Sequence, residues 1–164
     1  MDAAFTLAWQ RAAGLVAPED LPMAAAHLPA AGGDSPALRD LAGRGGAEPG
    51  AELVALLRES MDELGVPVPD DDLAERCLLR HTAARPAAGE IAPEDAVGTV
   101  RNGIGENADE VEWRFAAAVT RSCCRDCLGA WEEEAFRGWE REVAATAAEL
   151  VAADGNPLTA SWRR

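Results

Sequence analysis

The residues of this chain with the clearest capacity for chemistry are its cysteines and one histidine. Cys77 and His81 stand four residues apart, as do Cys123 and Cys127, and Cys124 offers a C-x-x-C spacing with Cys127 as an alternative. Residues four apart lie on one face of a helix, so two facing helices could present four sulfur and nitrogen ligands. Zn²⁺ takes such ligands in a tetrahedron. The spacing therefore predicts a closed, structural zinc site of Cys77, His81, Cys123 and Cys127, with Cys124 as the alternative ligand.

Two other interpretations of the cysteines remain open. Reduced cysteine is among the residues most often buried, so thiols packed in the core without metal are the simpler interpretation. Redox chemistry would need a lowered thiol pKa, for which Arg121 and Arg125 are the nearby candidates. Disulfides are not expected, because the N-terminus lacks the basic region and apolar stretch of an export signal.

A second candidate site is a set of arginines on the segment from Asp109 to Ala153. Arg114, Arg121 and Arg125 cluster on one side when the segment is drawn as a helix, away from the apolar positions. They are either a solvated edge balanced by the glutamates of the same segment or a contact for an anion or carboxylate of a binding partner. We list them as candidate partner-binding residues.

Missing residue types exclude several enzyme mechanisms. The chain has no lysine and no tyrosine, so Schiff-base lysines, P-loop lysines and tyrosine acids are impossible. Its serines lie in no G-x-S-x-G context. The imidazoles are His27, expected on or near the surface, and His81. If the protein is an enzyme, His81 with a nearby cysteine or a carboxylate from residues 90–95 is the candidate acid/base pair.

The segment from Asp109 to Ala153 is expected to position these groups. It contains no proline and is rich in Ala, Glu and Arg. Its apolar residues recur at helical spacing and include Trp113, Trp131 and Trp139. The pattern predicts one long helix or two helices in series, apolar over more than half its circumference, with the other helices packed around it. Glu133 and Arg137 are expected to form an ion pair on the solvent-exposed side of this segment.

The rest of the chain also predicts helices, each bounded by proline, glycine or aspartate. Asp34-Ser35-Pro36 is a strong helix start, Gly65 closes the clearest amphipathic helix, and Asp70-Asp71-Asp72 is a capping sequence. No stretch alternates with period two, so no sheet is expected. The predicted helices cover residues 5–16, 21–28, 37–42, 51–64 and 73–84, with a short one near 94–100.

These elements predict an all-α, single-domain bundle of about six or seven helices spanning residues 1–164, around the long C-terminal helical segment. Residues 44–50, rich in glycine, form the most flexible linker. Residues 155–164 follow the last helix and either fold back through Trp162 or are disordered.

Three short motifs carry a resemblance to a known group of proteins. They are Asp34-Ser35-Pro36-Ala37-Leu38-Arg39-Asp40-Leu41-Ala42-Gly43, then Glu63-Leu64-Gly65 with Val68-Pro69, and then Gly89-Glu90-Ile91-Ala92-Pro93. Their layout, over about residues 21–100, resembles small uncharacterised helical proteins of actinobacteria. The resemblance implies a helical fold and a bacterial cytoplasmic origin, and it implies no activity.

The charge balance is the strongest indication of function. Fifteen arginines face twenty-nine carboxylates, which gives a formal net charge of −14. So acidic a chain repels phosphates and anionic membrane surfaces, so neither nucleic acid nor a membrane is an expected partner. There is also no apolar run long enough for a membrane span, and we expect a cytoplasmic protein. The oligomeric state is not indicated.

Two function hypotheses follow. The first is a non-enzymatic acidic helical interaction protein (an inhibitor, an immunity-type protein or an adaptor) that binds a basic protein partner. The second is a small enzyme or accessory factor of a specialised biosynthetic pathway that uses a helical pocket near His81.

Overall fold

The computed structural model describes residues 2–45, 47–100, 107–121, 127 and 131–160. Within these ranges the chain forms seven α-helices and no strand, which confirms the all-α prediction. Short 3₁₀ turns at Pro18–Asp20, Pro29–Ala31 and Pro93–Ala96 connect some of them. The helices are α1 (Ala3–Ala12), α2 (Leu21–Ala25), α3 (Pro36–Gly43), α4 (Gly50–Leu64), α5 (Asp71–Ala87), α6 (Glu110–Val119) and α7 (Glu133–Ala152).

Local sequence explains where several helices begin and end. The Ser35 hydroxyl accepts a hydrogen bond from the Leu38 amide at the start of α3, with Pro36 in the first turn. The Asp70 carboxylate accepts from the Leu73 amide at the start of α5. Gly65 ends α4 in the left-handed conformation, with φ of 67°, which only glycine adopts without strain. These three signals confirm the predicted boundaries.

The described chain divides into two compact units, and the division falls inside α5, between Ala74 and Glu75. The first unit holds residues 2–74 with 158–160, and the second holds residues 75–157. The described residues of the predicted linker, 44–45 and 47–50, lie within the first unit. The single-domain organisation of the chain stays a prediction.

In the first unit the central element is α4. It contacts α1, α2, α3 and the Pro18–Asp20 turn, and its Leu53, Leu57 and Met61 are buried. The Glu63 carboxylate accepts a hydrogen bond from the Ala37 amide, which joins α4 to the first turn of α3. Leu158, in the predicted tail, is also buried, whereas Trp162 lies outside the described residues.

In the second unit α6 and α7 pack against each other, and both contact the Pro93–Ala96 turn. Their shared core includes Phe115, Val119, Trp139 and Val143. The Trp139 indole donates a hydrogen bond of 2.8 Å to the Ala118 carbonyl. The segment predicted as one or two helices therefore contains at least two, since α6 ends at Val119 and α7 begins at Glu133.

Two expectations about these helices were wrong. Trp113, placed on the apolar part of α6, is 49% exposed, because the buried arc of α6 lies on its other side, around Phe115 and Val119. The helix predicted to end at residue 84, α5, continues to Ala87 and holds Pro86 in its last turn. No helix in the described ranges is long and apolar enough to cross a bilayer.

Candidate functional site

The most concentrated group of charged side chains in the second unit is a partly buried cluster of two arginines and two carboxylates. Arg76 and Arg80 stand one turn apart on α5, while Asp109 and Glu112 belong to the start of α6. The Glu112 side chain is fully buried and that of Arg80 is 1% exposed, whereas those of Arg76 and Asp109 are 22% and 41% exposed. We call these four residues the charge cluster.

Glu112 is the centre of the charge cluster. Its carboxylate accepts hydrogen bonds from Arg76 Nε at 2.8 Å, from Arg76 Nη2 at 3.2 Å and from Arg80 Nε at 2.7 Å. It also accepts from the Asp109 amide at 3.0 Å. A buried carboxylate needs such partners, because desolvation of an unpaired charge is expensive. Four donors converge on its two oxygens.

Arg80 connects the cluster to a second helix end. Its Nη2 donates to the Asp109 carboxylate at 2.9 Å, and its Nη1 lies 3.3 Å from the Leu150 carbonyl and 3.5 Å from that of Ala153. These carbonyls close α7, where the helix dipole favours a cation. One guanidinium therefore holds the first turn of α6 and the last turn of α7.

The local sequence explains the position of the two carboxylates. Asp109 is the N-cap of α6 and Glu112 its third residue, and each side chain accepts from the backbone amide of the other. This is a capping box, which the D-x-x-E spacing encodes. Sequence reasoning overlooked the cluster, although a signal was present. Glu112 falls inside the apolar arc of α6, where an acidic residue requires a buried cationic partner.

The chemistry of the charge cluster is structural. Each charged group is engaged by the others, and their formal charges cancel. Such an arrangement aligns helices and leaves little capacity for proton transfer or anion binding. We therefore assign it to the stability and alignment of α5, α6 and α7.

The structure describes two of the four cysteines, Cys77 and Cys127. Cys77 is buried, and burial, the largest effect, raises the pKa of its thiol to about 12. A thiol with that pKa stays protonated at neutral pH, which argues against redox chemistry at Cys77. Cys127 is exposed. Cys123 and Cys124 lie outside the described residues, so the zinc site stays a prediction; the described residues bring no three metal-ligating side chains together.

His81 lies half-buried on α5, one turn after Cys77. Desolvation lowers the pKa of its imidazole below the ordinary 6.5, nearby Arg85 lowers it further, and the charge of Glu90 acts in the opposite direction. The adjacent Thr82 is buried, and its hydroxyl has no hydrogen-bond partner among the residues described. His27 is exposed, as expected.

Two of the three arginines of the predicted edge are described by the structure, and both form ion pairs within the second unit. Arg114 forms an ion pair with Glu149 at 3.1 Å that joins α6 to α7, and Arg121, in the turn after α6, forms one with Glu142 of α7. Arg125 lies outside the described residues. The predicted pair of Glu133 and Arg137 on α7 is confirmed.

No family model, no curated protein and no solved structure matches the chain, so fold and geometry are the basis for its function.

Proposed function

We propose that this protein is a non-enzymatic interaction protein whose acidic surface binds a basic protein partner. The observation that carries the proposal is how the charges are distributed. Residues 2–74 contain thirteen carboxylates and four arginines, a formal charge of −9. Two of the four arginines, Arg39 and Arg44, already pair with Asp34 and Asp40.

The second unit supports the same proposal. Its arginines at 76, 80, 114, 121 and 137 form ion pairs within the unit. Each pair cancels the charge of one arginine and one carboxylate, and the carboxylates that remain in residues 75–157 outnumber the remaining arginines. An acidic surface of this kind accelerates encounter with a basic protein and selects against acidic ones.

The test is capture of proteins from the native host on the immobilised chain, followed by elution with rising salt. We expect a basic protein that is retained at about 0.05 M salt and released by about 0.5 M, because salt at these concentrations screens surface charges. A variant with four exposed glutamates changed to glutamine (Glu52, Glu59, Glu75 and Glu132) should retain it less. The matched control changes the same four to aspartate and keeps the charge. Binding that is equal in all three proteins, or insensitive to salt, would refute the proposal.

The second hypothesis, a small enzyme or accessory factor, has one observation in its favour. His81 is half-buried, and the negative charge of Glu90 opposes the lowering of its pKa by desolvation and by Arg85, so Glu90 is the candidate carboxylate partner of the imidazole. The test is an NMR titration of the His81 ring during a screen of small molecules. Ligands that shift its resonance, in wild type and less in Glu90→Gln, would support a pocket, and a screen without such ligands would count against one.

A further inference from the structure

An exposed tryptophan stands beside an exposed glutamate on α6. The Trp113 side chain is one of the few large apolar side chains at the surface of the described chain, at 49% exposure. Glu110 precedes it by three residues and is also exposed. Residues three apart are neighbours on a helix surface. The indole and the carboxylate therefore form one small patch in the first two turns of α6, which we call the Trp113 patch.

Among the described residues, the Trp113 patch carries one negative charge, that of Glu110. The arginine next to it, Arg114, is already paired with Glu149 of α7. Glu110, in contrast, forms no ion pair with any residue in the described ranges. An incoming cation would therefore meet an unneutralised carboxylate beside an aromatic ring.

This combination has a specific binding chemistry. The face of an indole attracts ammonium and guanidinium groups, and tryptophan is the best of the aromatic residues for that contact. A carboxylate beside it can accept charge-assisted hydrogen bonds from the same group. Tryptophan is also enriched among the few residues that dominate the energy of protein interfaces. Because Trp113 is 49% exposed, part of its surface is available for contact with a partner.

We propose that Trp113 and Glu110 bind an arginine or lysine side chain of the basic partner, with the cation over the indole and the carboxylate beside it. The inference rests on the proposed function and gives it a location. Binding would bury the indole face that the fold of α6 leaves exposed.

The experiment measures binding of an arginine-rich peptide at low salt, with a peptide of equal length in which citrulline replaces arginine as the uncharged probe. We expect the wild type to bind the first peptide and not the second. Trp113→Leu keeps an apolar side chain without an aromatic face and should bind about tenfold more weakly. Trp113→Phe should lose less, and Glu110→Gln should bind about threefold more weakly.

The matched controls change exposed residues that lie outside α6. Glu134→Gln removes an exposed glutamate from the first turn of α7, as Glu110→Gln does from α6. Leu15→Ala trims an apolar side chain of the first unit that is 49% exposed, as Trp113 is. Both controls should bind as the wild type does. Circular dichroism of every variant reports whether the helices are intact.

The outcomes separate the two proposals. If the wild type binds the arginine peptide in a salt-dependent way while Trp113→Leu and Glu110→Gln bind equally well, the patch is the wrong site and the acidic interaction function stands. If the citrulline peptide binds as tightly, recognition of a cation is wrong. If the wild type binds neither peptide at low salt, both proposals are overturned.

Discussion

Replacement of Glu112 with glutamine isolates the contribution of the charge cluster to stability. Glutamine keeps nearly the same volume and still serves as the third residue of a capping box with Asp109. The substitution therefore removes the buried negative charge and leaves the start of α6 capped. The two carboxylate oxygens of Glu112 accept from Arg76 and Arg80. In glutamine one of them is replaced by an amide group, which donates hydrogen bonds and cannot accept from a guanidinium.

The expected destabilisation follows from the burial of the remaining groups. Removal of one partner of a buried ion pair costs about 3–5 kcal/mol, because the other charge stays desolvated. Arg80 is 1% exposed and cannot reach water without moving, whereas Arg76, at 22%, can turn outward. We therefore expect Glu112→Gln to lower the free energy of unfolding by about 3 kcal/mol, at the lower end of that range.

Asp109→Asn is the matched comparison. Its side chain is 41% exposed, and asparagine is as good an N-cap as aspartate. Loss of its charge should cost about 1 kcal/mol, because the asparagine oxygen can still accept from Arg80 and because Glu112 continues to neutralise that guanidinium. The two variants thus remove one carboxylate each from the same cluster and differ in burial.

Urea unfolding measures the free energy of unfolding of each variant. Hydrogen exchange of the α6 and α7 amides measures how well each helix is protected locally. The local measurement matters because a chain with two compact units need not unfold in one step. The first turn of α6 and the last turn of α7 should lose protection together, since Arg80 contacts both.

If Glu112→Gln lowers the free energy of unfolding by no more than Asp109→Asn does, burial does not determine what the carboxylates of the charge cluster contribute. A double variant, Arg80→Met with Glu112→Leu, adds a second check. It should be less destabilised than the sum of the two single variants, because two apolar side chains leave no buried charge unpaired.

Three further predictions concern single side chains of the second unit. In urea unfolding, Trp139→Phe should lower the free energy of unfolding by about 1–3 kcal/mol, because the Ala118 carbonyl loses its indole donor. Trp139→Ala should lower it by about 3–5 kcal/mol, because it also opens a cavity. A result below about 1 kcal/mol for Trp139→Ala would contradict its placement in the core. The lowered pKa of His81 means that the unfolded chain binds a proton more readily, so this group's contribution to stability is complete above pH 6.5 and is lost as pH falls from there through the folded-state pKa. His81→Gln should flatten the stability profile in that window, and an unchanged profile would argue against the shift. Cys77, with a pKa of about 12, should resist alkylation at pH 8 in the folded protein, while the exposed Cys127 reacts, and denaturation should make both reactive. Rapid modification of Cys77 in the folded state would show that its burial is wrong.

Much of the fold followed from local signals. The helix starts at Ser35 and Asp70 and the helix end at Gly65 were predictable, because a capping side chain or a left-handed glycine acts within a few residues of the chain. The amphipathic pattern of residues 51–64 likewise predicted a helix with one buried side, which in α4 holds Leu53, Leu57 and Met61. Local signals of this kind depend little on what the helix packs against.

The candidate sites were less predictable, since each depends on which helices meet. The periodicity of α6 was compatible with Trp113 on its apolar side. Only the packing of α6 against α7 showed that the indole lies at the surface. Arg114 and Arg121 were recognised as one edge. Their partners, Glu149 and Glu142, lie on another helix and could not be chosen from spacing alone.

Helical class, acidic character and the capping sequences were thus readable from the order of residues, because they arise from composition or from contacts a few positions apart. The charge cluster was decided in three dimensions. Arg80 and Glu112 are 32 residues apart, and Arg80 and Leu150 are 70 apart. A buried charge is tolerated only where its partners converge, and that convergence is a property of packed helices rather than of any one of them.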